Sequence, residues 1–148
     1  MSPSDPPSGY IANKAHHFPL RVYFEDTDLT GVVYHANYLR YCERARSDAM
    51  RALGLDHRGA FEAGQGYFAV VNLTIRYRAP ARLDDALVII SQITILRAAS
   101  WLVHQRVMRG AQLLADADVH VAFLDAKGRP TRQPAGWTAG YRQILKDD

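Results

Sequence analysis

Apolar and polar positions change their period twice along the chain. In FPLRVYFED, Leu20, Val22 and Phe24 alternate with Arg21 and Tyr23, as in a half-buried strand. The turn-forming run DTDLTG ends that alternation. From about His35 to Leu53 the spacing becomes helical: Leu39, Cys42, Ala45, Ala49 and Leu53 form a stripe, widened by Tyr38, Tyr41 and Ala52. Arg40, Glu43, Arg44, Ser47, Asp48 and Arg51 supply the polar face, Arg44 and Asp48 are spaced to pair, and Gly54 stands where a carboxy-terminal cap belongs. Such a helix runs roughly 28 Å, long enough to cross a sheet.

After the connector LDHRGAFEAGQG the period shortens to two and stays there. YFAVVNLTIRYR sets Tyr67, Ala69, Val71, Leu73, Ile75 and Tyr77 on one face, which reads as core throughout, against Phe68, Val70, Asn72, Thr74, Arg76 and Arg78. The turn APARLDD leads into ALVIISQITIL, RAAS into WLVHQRVMR, and Gly110 into QLLADADVHVAFLD. Short links between four long strands predict an antiparallel meander. Lys127-Gly128-Arg129-Pro130 reads as a turn, and residues 135–148 as an extension with a short helix. The order of elements predicts an α+β fold, a curved five-stranded antiparallel sheet covered by one long helix. Apolar residues on both faces, such as Ile89 with Ile90 and Phe68 with Val70, call for a second cover. With no second helix of comparable quality, a symmetric dimer with a site between its subunits is expected.

Composition narrows this picture without redirecting it. A chain of 148 residues, 48% hydrophobic, reads as one domain with a real core. Residues 1–9 (MSPSDPPSG) have almost nothing to bury and read as a disordered tail. A single cysteine, Cys42, excludes an internal disulfide and suits a reducing compartment; its place on the apolar stripe makes it a small core residue. No basic segment followed by an apolar run opens the chain, so the expected location is cytoplasmic, with no transmembrane segment. The net charge of +3 is carried mostly by arginine, lysine occurring only at positions 14, 127 and 146. No compact basic run points to nucleic acid; arginine suits bidentate contact with a small anion.

Candidate chemistry concentrates in EDTDLTGVVYHANYL, residues 25–39. Its Asp and Thr residues would serve well as turn and cap formers. The sharper alternative makes Asp28 a catalytic carboxylate opposite the electropositive start of the helix. Elsewhere there is no G-x-S-x-G elbow. Asp116, Asp118 and His120 share a strand face that an ordinary solvated surface explains as well as a metal does, and His16, His17, His57 and His104 show no ligand spacing. No metal is expected.

The run RVYFEDTDLTGVVYHANYLRYCERARSD, followed by YRAPARLDD, resembles the 4-hydroxybenzoyl-CoA thioesterase family of hotdog-fold proteins, in particular the acyl-CoA thioesterases associated with the bacterial Tol-Pal envelope system. The likeness spans about residues 18–125. It implies a hotdog domain over residues 10–134, in which a curved sheet wraps a central helix. It also implies hydrolysis of acyl-CoA without a cofactor, in a homodimer or homotetramer; whether acyl carrier protein replaces CoA as carrier of the acyl group is left open by the sequence.

Asp28 matches the family's catalytic aspartate, acting as nucleophile or as general base toward water. A thiol with pKa near ~8.5 leaves without a strong acid, so one carboxylate suffices. The backbone N–H of His35 is the candidate oxyanion donor, with Tyr34 adjacent, and Gly31 lets the loop approach substrate closely. The His35 ring either orients the reacting groups or satisfies the local turn; Asn37 matches the family's asparagine, whose simpler role is to fix the start of the helix, and Asp26 shapes the loop. Arg76, Arg78 and Arg82 are candidates for the CoA phosphates, and Val70, Val71 and Asn72 of a neighbouring subunit for the acyl slot. Phe24 stands where the branch often has tyrosine. A non-catalytic acyl-thioester-binding or regulatory hotdog is the competing reading, although a pure binder would not require Asp28. A hydratase or dehydratase of this fold would pair a histidine with a carboxylate in a different helix-entry motif, which this sequence does not show.

Overall fold

The computed structural model describes residues 2–147. Six strands form one antiparallel sheet: β1 (Tyr10–Ala12), β2 (Ala15–Arg21), β3 (Tyr67–Tyr77), β4 (Ala86–Leu96), β5 (Ser100–Arg109) and β6 (Gln112–Leu124), in the order β1-β2-β4-β5-β6-β3. The helix α1 (Asn37–Ala52) lies across it, its buried face built from Tyr38, Tyr41, Cys42, Ala45, Ala49 and Met50. Toward the start of α1 the core contains Val22, Val33, Leu87, Ile89, Val107 and Leu114; toward its end it contains Ile93, Trp101, Val103, Val119 and Val121. No helix among the described residues is long and apolar enough to cross a membrane.

The α+β expectation holds, with one more strand than the five expected, because Asn13 and Lys14 adopt positive φ and fold β1 back on β2 as a tight hairpin. The expected first strand is displaced toward the amino terminus. It ends at Arg21, and Phe24 lies in a 3-10 turn (Phe24–Asp26), 81% exposed. Asp26 causes this by accepting the Tyr23 amide on its carboxylate at 2.8 Å, a local bond that competes with extended pairing.

Strand order corrects the expected four-strand meander. Only β4, β5 and β6 follow one another; β3 pairs with β6 at the far edge. β4 already has β2 on one side and β5 on the other, so the chain emerging from α1 finds its free partner at β6. A bulge between Val70 and Asn72 also breaks the expected alternation of β3. Phe68 before it and Leu73 and Ile75 after it pack on the core, while Val71 is 52% exposed.

The helix starts two residues later than its periodicity predicts and ends as predicted. Gly54, at φ +79°, donates to Arg51 and Leu55 donates to Met50, closing the last turn. Asp48, expected on the polar face beside Arg44, is buried. It accepts from Ser8 Oγ and the Gly9 amide, both at 2.8 Å, and lies 2.7 Å from His16 Nε2. Burial lowers the pKa of His16, so at neutral pH the neutral ring donates to the Asp48 carboxylate. At the other end, α2 (His57–Glu62) precedes β3, and α3 (Trp137–Tyr141) with a following 3-10 turn buries Tyr141 and Ile144 over the core.

Candidate active site

Residues 26–34 form a small hairpin at the start of α1. Thr27 bridges Val33, the Asp28 amide donates to the Val32 carbonyl, and Gly31 donates back to the Asp28 carbonyl. Gly31 closes the turn at φ +79° with open space where a Cβ would be, so the left-handed backbone is what requires glycine. The hairpin base is locked to the helix. Asp26, 4% exposed, accepts from Asn37 Nδ2 at 2.7 Å, and its carbonyl accepts the Tyr34 amide. Asn37 is therefore buried and positions the start of the helix, also accepting from Arg40.

Asp28 sits at the hairpin tip, exposed. Its Oδ1 accepts from the Thr30 hydroxyl at 2.6 Å and the Thr30 amide at 2.8 Å, leaving Oδ2 without a donor among the described residues. The hydroxyl bond above all, then the amide, holds the carboxyl below the usual carboxylate range, so it is ionised at neutral pH. At the other end of the hairpin, His35 precedes the helix. Its carbonyl accepts from Tyr77 Oη at 2.7 Å, and its N–H has no acceptor among the described residues. Its ring lies 4.5 Å from that of Tyr34 and 6.5 Å from that of Tyr77. The arrangement offers one fixed carboxylate on the hairpin and one unspent amide immediately after it, the components for polarising a carbonyl and attacking it.

Residues 22–143 match the family model described as the thioesterase-like superfamily. The chain belongs to that superfamily. Acyl-CoA thioesterase YbgC of Haemophilus influenzae is 40% identical over 128 residues, 86% of this chain and 94% of that protein. Acyl-CoA thioester hydrolase YbgC of Escherichia coli is 41% identical over 128 residues, 85% and 95% of the two chains. Among solved structures, a probable thioesterase from Bartonella henselae superposes with a TM-score of 0.76 at 36% identity, over 81% of this chain and 99% of that one. A 1,4-dihydroxy-2-naphthoyl-CoA thioesterase from Synechocystis gives 0.80 at 25% identity, over 86% and 95%. The hotdog fold and the resemblance read from residues 18–125 stand.

Set in this thioesterase fold, the remaining candidates divide by location. Arg82 is exposed beside the hairpin: its backbone bridges Val32, its amide donates to Asp85, and its guanidinium has no partner among the described residues. Arg76 and Arg78 lie on the sheet face opposite the helix. There Arg76 bonds Asp116 at 2.9 Å and Asp118 at 3.0 Å, and Arg78 bonds Asp116 at 3.0 Å. A phosphate would compete with those carboxylates. His104 also bonds Asp118, at 2.9 Å, so the Asp116–Asp118 surface is an ion-paired network. No group of three or more His, Cys, Asp or Glu side chains among the described residues is placed to hold a metal ion. Val70, Val71 and Asn72 lie exposed along β3, whose outer edge is unpaired among the described residues. Cys42 is fully buried, and burial pushes its thiol up to about 11, which makes it a poor nucleophile.

Several residues of this region escape sequence reasoning. Thr30 has a signal in the D-x-T spacing, which favours a side chain bonding two residues on. Tyr77 has none, because its contact with His35 spans 42 positions. Equally silent is a cavity of about 340 Å³ between the second half of α1 and the start of β3, lined by Glu43, Arg46, Met50, Phe68, Trp101 and Val121 among others.

Proposed function

We propose that this chain hydrolyses acyl-CoA thioesters to free acid and CoA, with Asp28 as the catalytic carboxylate and the His35 amide as the oxyanion donor. The reading rests above all on the unaccepted His35 N–H, set immediately after the hairpin that carries the Asp28 carboxylate with its Oδ2 open. A thioester carbonyl seated on that amide is stabilised as negative charge gathers on its oxygen. Asp28, on the opposite face, either takes a proton from the attacking water or attacks the carbonyl carbon to form a mixed anhydride that water opens. In both routes the carbon–sulfur bond breaks and CoA leaves as thiolate, which then takes up a proton. The Asn37 amide donates to the Tyr34 carbonyl and so holds the peptide that carries the His35 N–H, while Tyr77 holds the His35 carbonyl beyond it. No cofactor enters, and Arg82 is our choice for the CoA phosphates.

In the single chain Asp28 stands on the open surface, and we infer that a second subunit encloses it. The unpaired edge of β3, eleven residues long, exposes Val70 and Val71, an arrangement that favours pairing with another copy. Antiparallel pairing of β3 with β3 brings the Tyr77 end of one chain to the Phe68–Val70 end of the other. The hairpin of one subunit then faces the cavity of its partner, which receives the acyl group. The same exposure of Asp28 is what a non-catalytic binding hotdog would show. Free-thiol release from a panel of acyl-CoA esters separates the two: turnover by wild type, lost in a folded Asp28→Asn protein, supports hydrolysis, whereas binding without turnover supports the module.

A further inference from the structure

The cavity between α1 and β3 is lined by apolar side chains, among them Met50, Phe68, Trp101 and Val121, and by the polar side chains of Glu43, Ser47, His57 and Arg46. Arg46 is part-buried, and its only hydrogen bond among the described residues runs from Nη1 to Gln105 Oε1 at 2.9 Å. Gln105 is 0% exposed and is itself fixed, donating from Nε2 to the Cys42 carbonyl at 3.0 Å and to the buried Ser91 hydroxyl at 2.9 Å. Two buried polar side chains in the core thus serve to hold one guanidinium at the cavity wall.

A guanidinium has five N–H donors, and burial of a charge without an anion is costly. No carboxylate among the described residues lies within ion-pair distance of Arg46. Glu43, one turn earlier on the exposed rim, acts on it only at a distance, and burial, the larger effect, lowers the arginine's pKa. Cys42, Ala45 and Ala49 on the buried face of α1 show that the chain can fill such positions with apolar side chains when nothing polar is needed. A fixed fork donor with no ion-pair partner, in a slot whose walls are partly apolar, fits a planar two-oxygen anion arriving with the ligand.

We propose that Arg46 selects acyl groups ending in a carboxylate, so that the preferred substrates are CoA half-thioesters of dicarboxylic acids. The inference rests on assigning this cavity to the acyl group. The test is calorimetric titration of two unreactive CoA thioethers, one with a carboxyalkyl chain and one with an alkyl chain ending in methyl instead. Wild type is expected to bind the carboxyalkyl thioether about ten- to a hundredfold more tightly. Arg46→Gln is expected to bring the ratio near one, and Arg46→Lys, which keeps the charge, to restore part of it; thermal unfolding establishes that each variant is folded.

Equal or tighter binding of the methyl-ended thioether by wild type would overturn the proposal. So would an undiminished ratio in Arg46→Gln, or a dimer structure with a partner-subunit carboxylate on Arg46. Hydrolysis rates on the matching thioesters separate the two readings. Turnover without any preference for the carboxylate sinks the specificity and leaves the thioesterase; a binding preference without turnover does the reverse.

Discussion

Replacing Asn37 with leucine tests the coupling between the hairpin and the helix. Asn37 Nδ2 donates to Asp26 Oδ1 at 2.7 Å, with both residues at most 5% exposed, so the substitution leaves a carboxylate oxygen buried without its donor. The other oxygen keeps the Tyr23 amide. A hydrogen bond to a charged group contributes about 1.5–3 kcal/mol, and water has little access to replace it here. For a domain of this size that corresponds to a fall in Tm of roughly 4–10 °C. The Asp26 carbonyl holds the Tyr34 amide one residue from His35, so loosening Asp26 should also lower kcat by more than it raises KM. Thermal unfolding and acyl-CoA hydrolysis measured on Asn37→Leu, Asp26→Asn and the double variant complete a cycle. A Tm within about 1 °C of wild type, additive single effects and an unchanged kcat would refute the clamp.

Two further outcomes follow from the charges. Thr30→Val removes the hydroxyl bond that most lowers the Asp28 pKa, so the acid limb of the pH–rate profile should move to higher pH; an unmoved limb would detach Asp28 from that limb. His16 and His57 both have pKa values lowered by burial, so the unfolded chain binds more protons just below the ordinary 6.5. Their stabilisation is complete above that value and is lost as pH falls below it. Urea midpoints should therefore drop from pH 7.5 to about 5.5, and less steeply in His16→Gln; a midpoint that rises on acidification would reverse the assignment.

What was legible in the sequence was local. The helical stripe, the Gly54 cap, the long strands and the D-x-x-G-V-V-Y-H run each depend on residues close together in the chain. The misreadings involve distant partners. β3 pairs with β6 because β4 is already occupied on both sides, a fact no periodicity contains. Asp48 looks like a surface residue until His16, thirty-two positions away, is placed against it. The ion pairs of Arg76 and Arg78 are likewise hidden from a local reading, because Asp116 and Asp118 lie 38 to 42 positions away. Phe24 fits a strand pattern, but Asp26 captures the Tyr23 amide first. The bulge at Val70–Asn72 shifts the facing of β3 by one residue, and no single residue type announces it.

The most direct test of the central claim is a crystal structure with an acyl-CoA analogue in which a methylene replaces the thioester sulfur and the carbonyl is retained. The account predicts that carbonyl oxygen within about 2.7–3.2 Å of the His35 nitrogen, with the Asp28 carboxylate against the opposite face of the same carbon. A carbonyl held elsewhere, with Asp28 directed into solvent in the assembled protein, would contradict it.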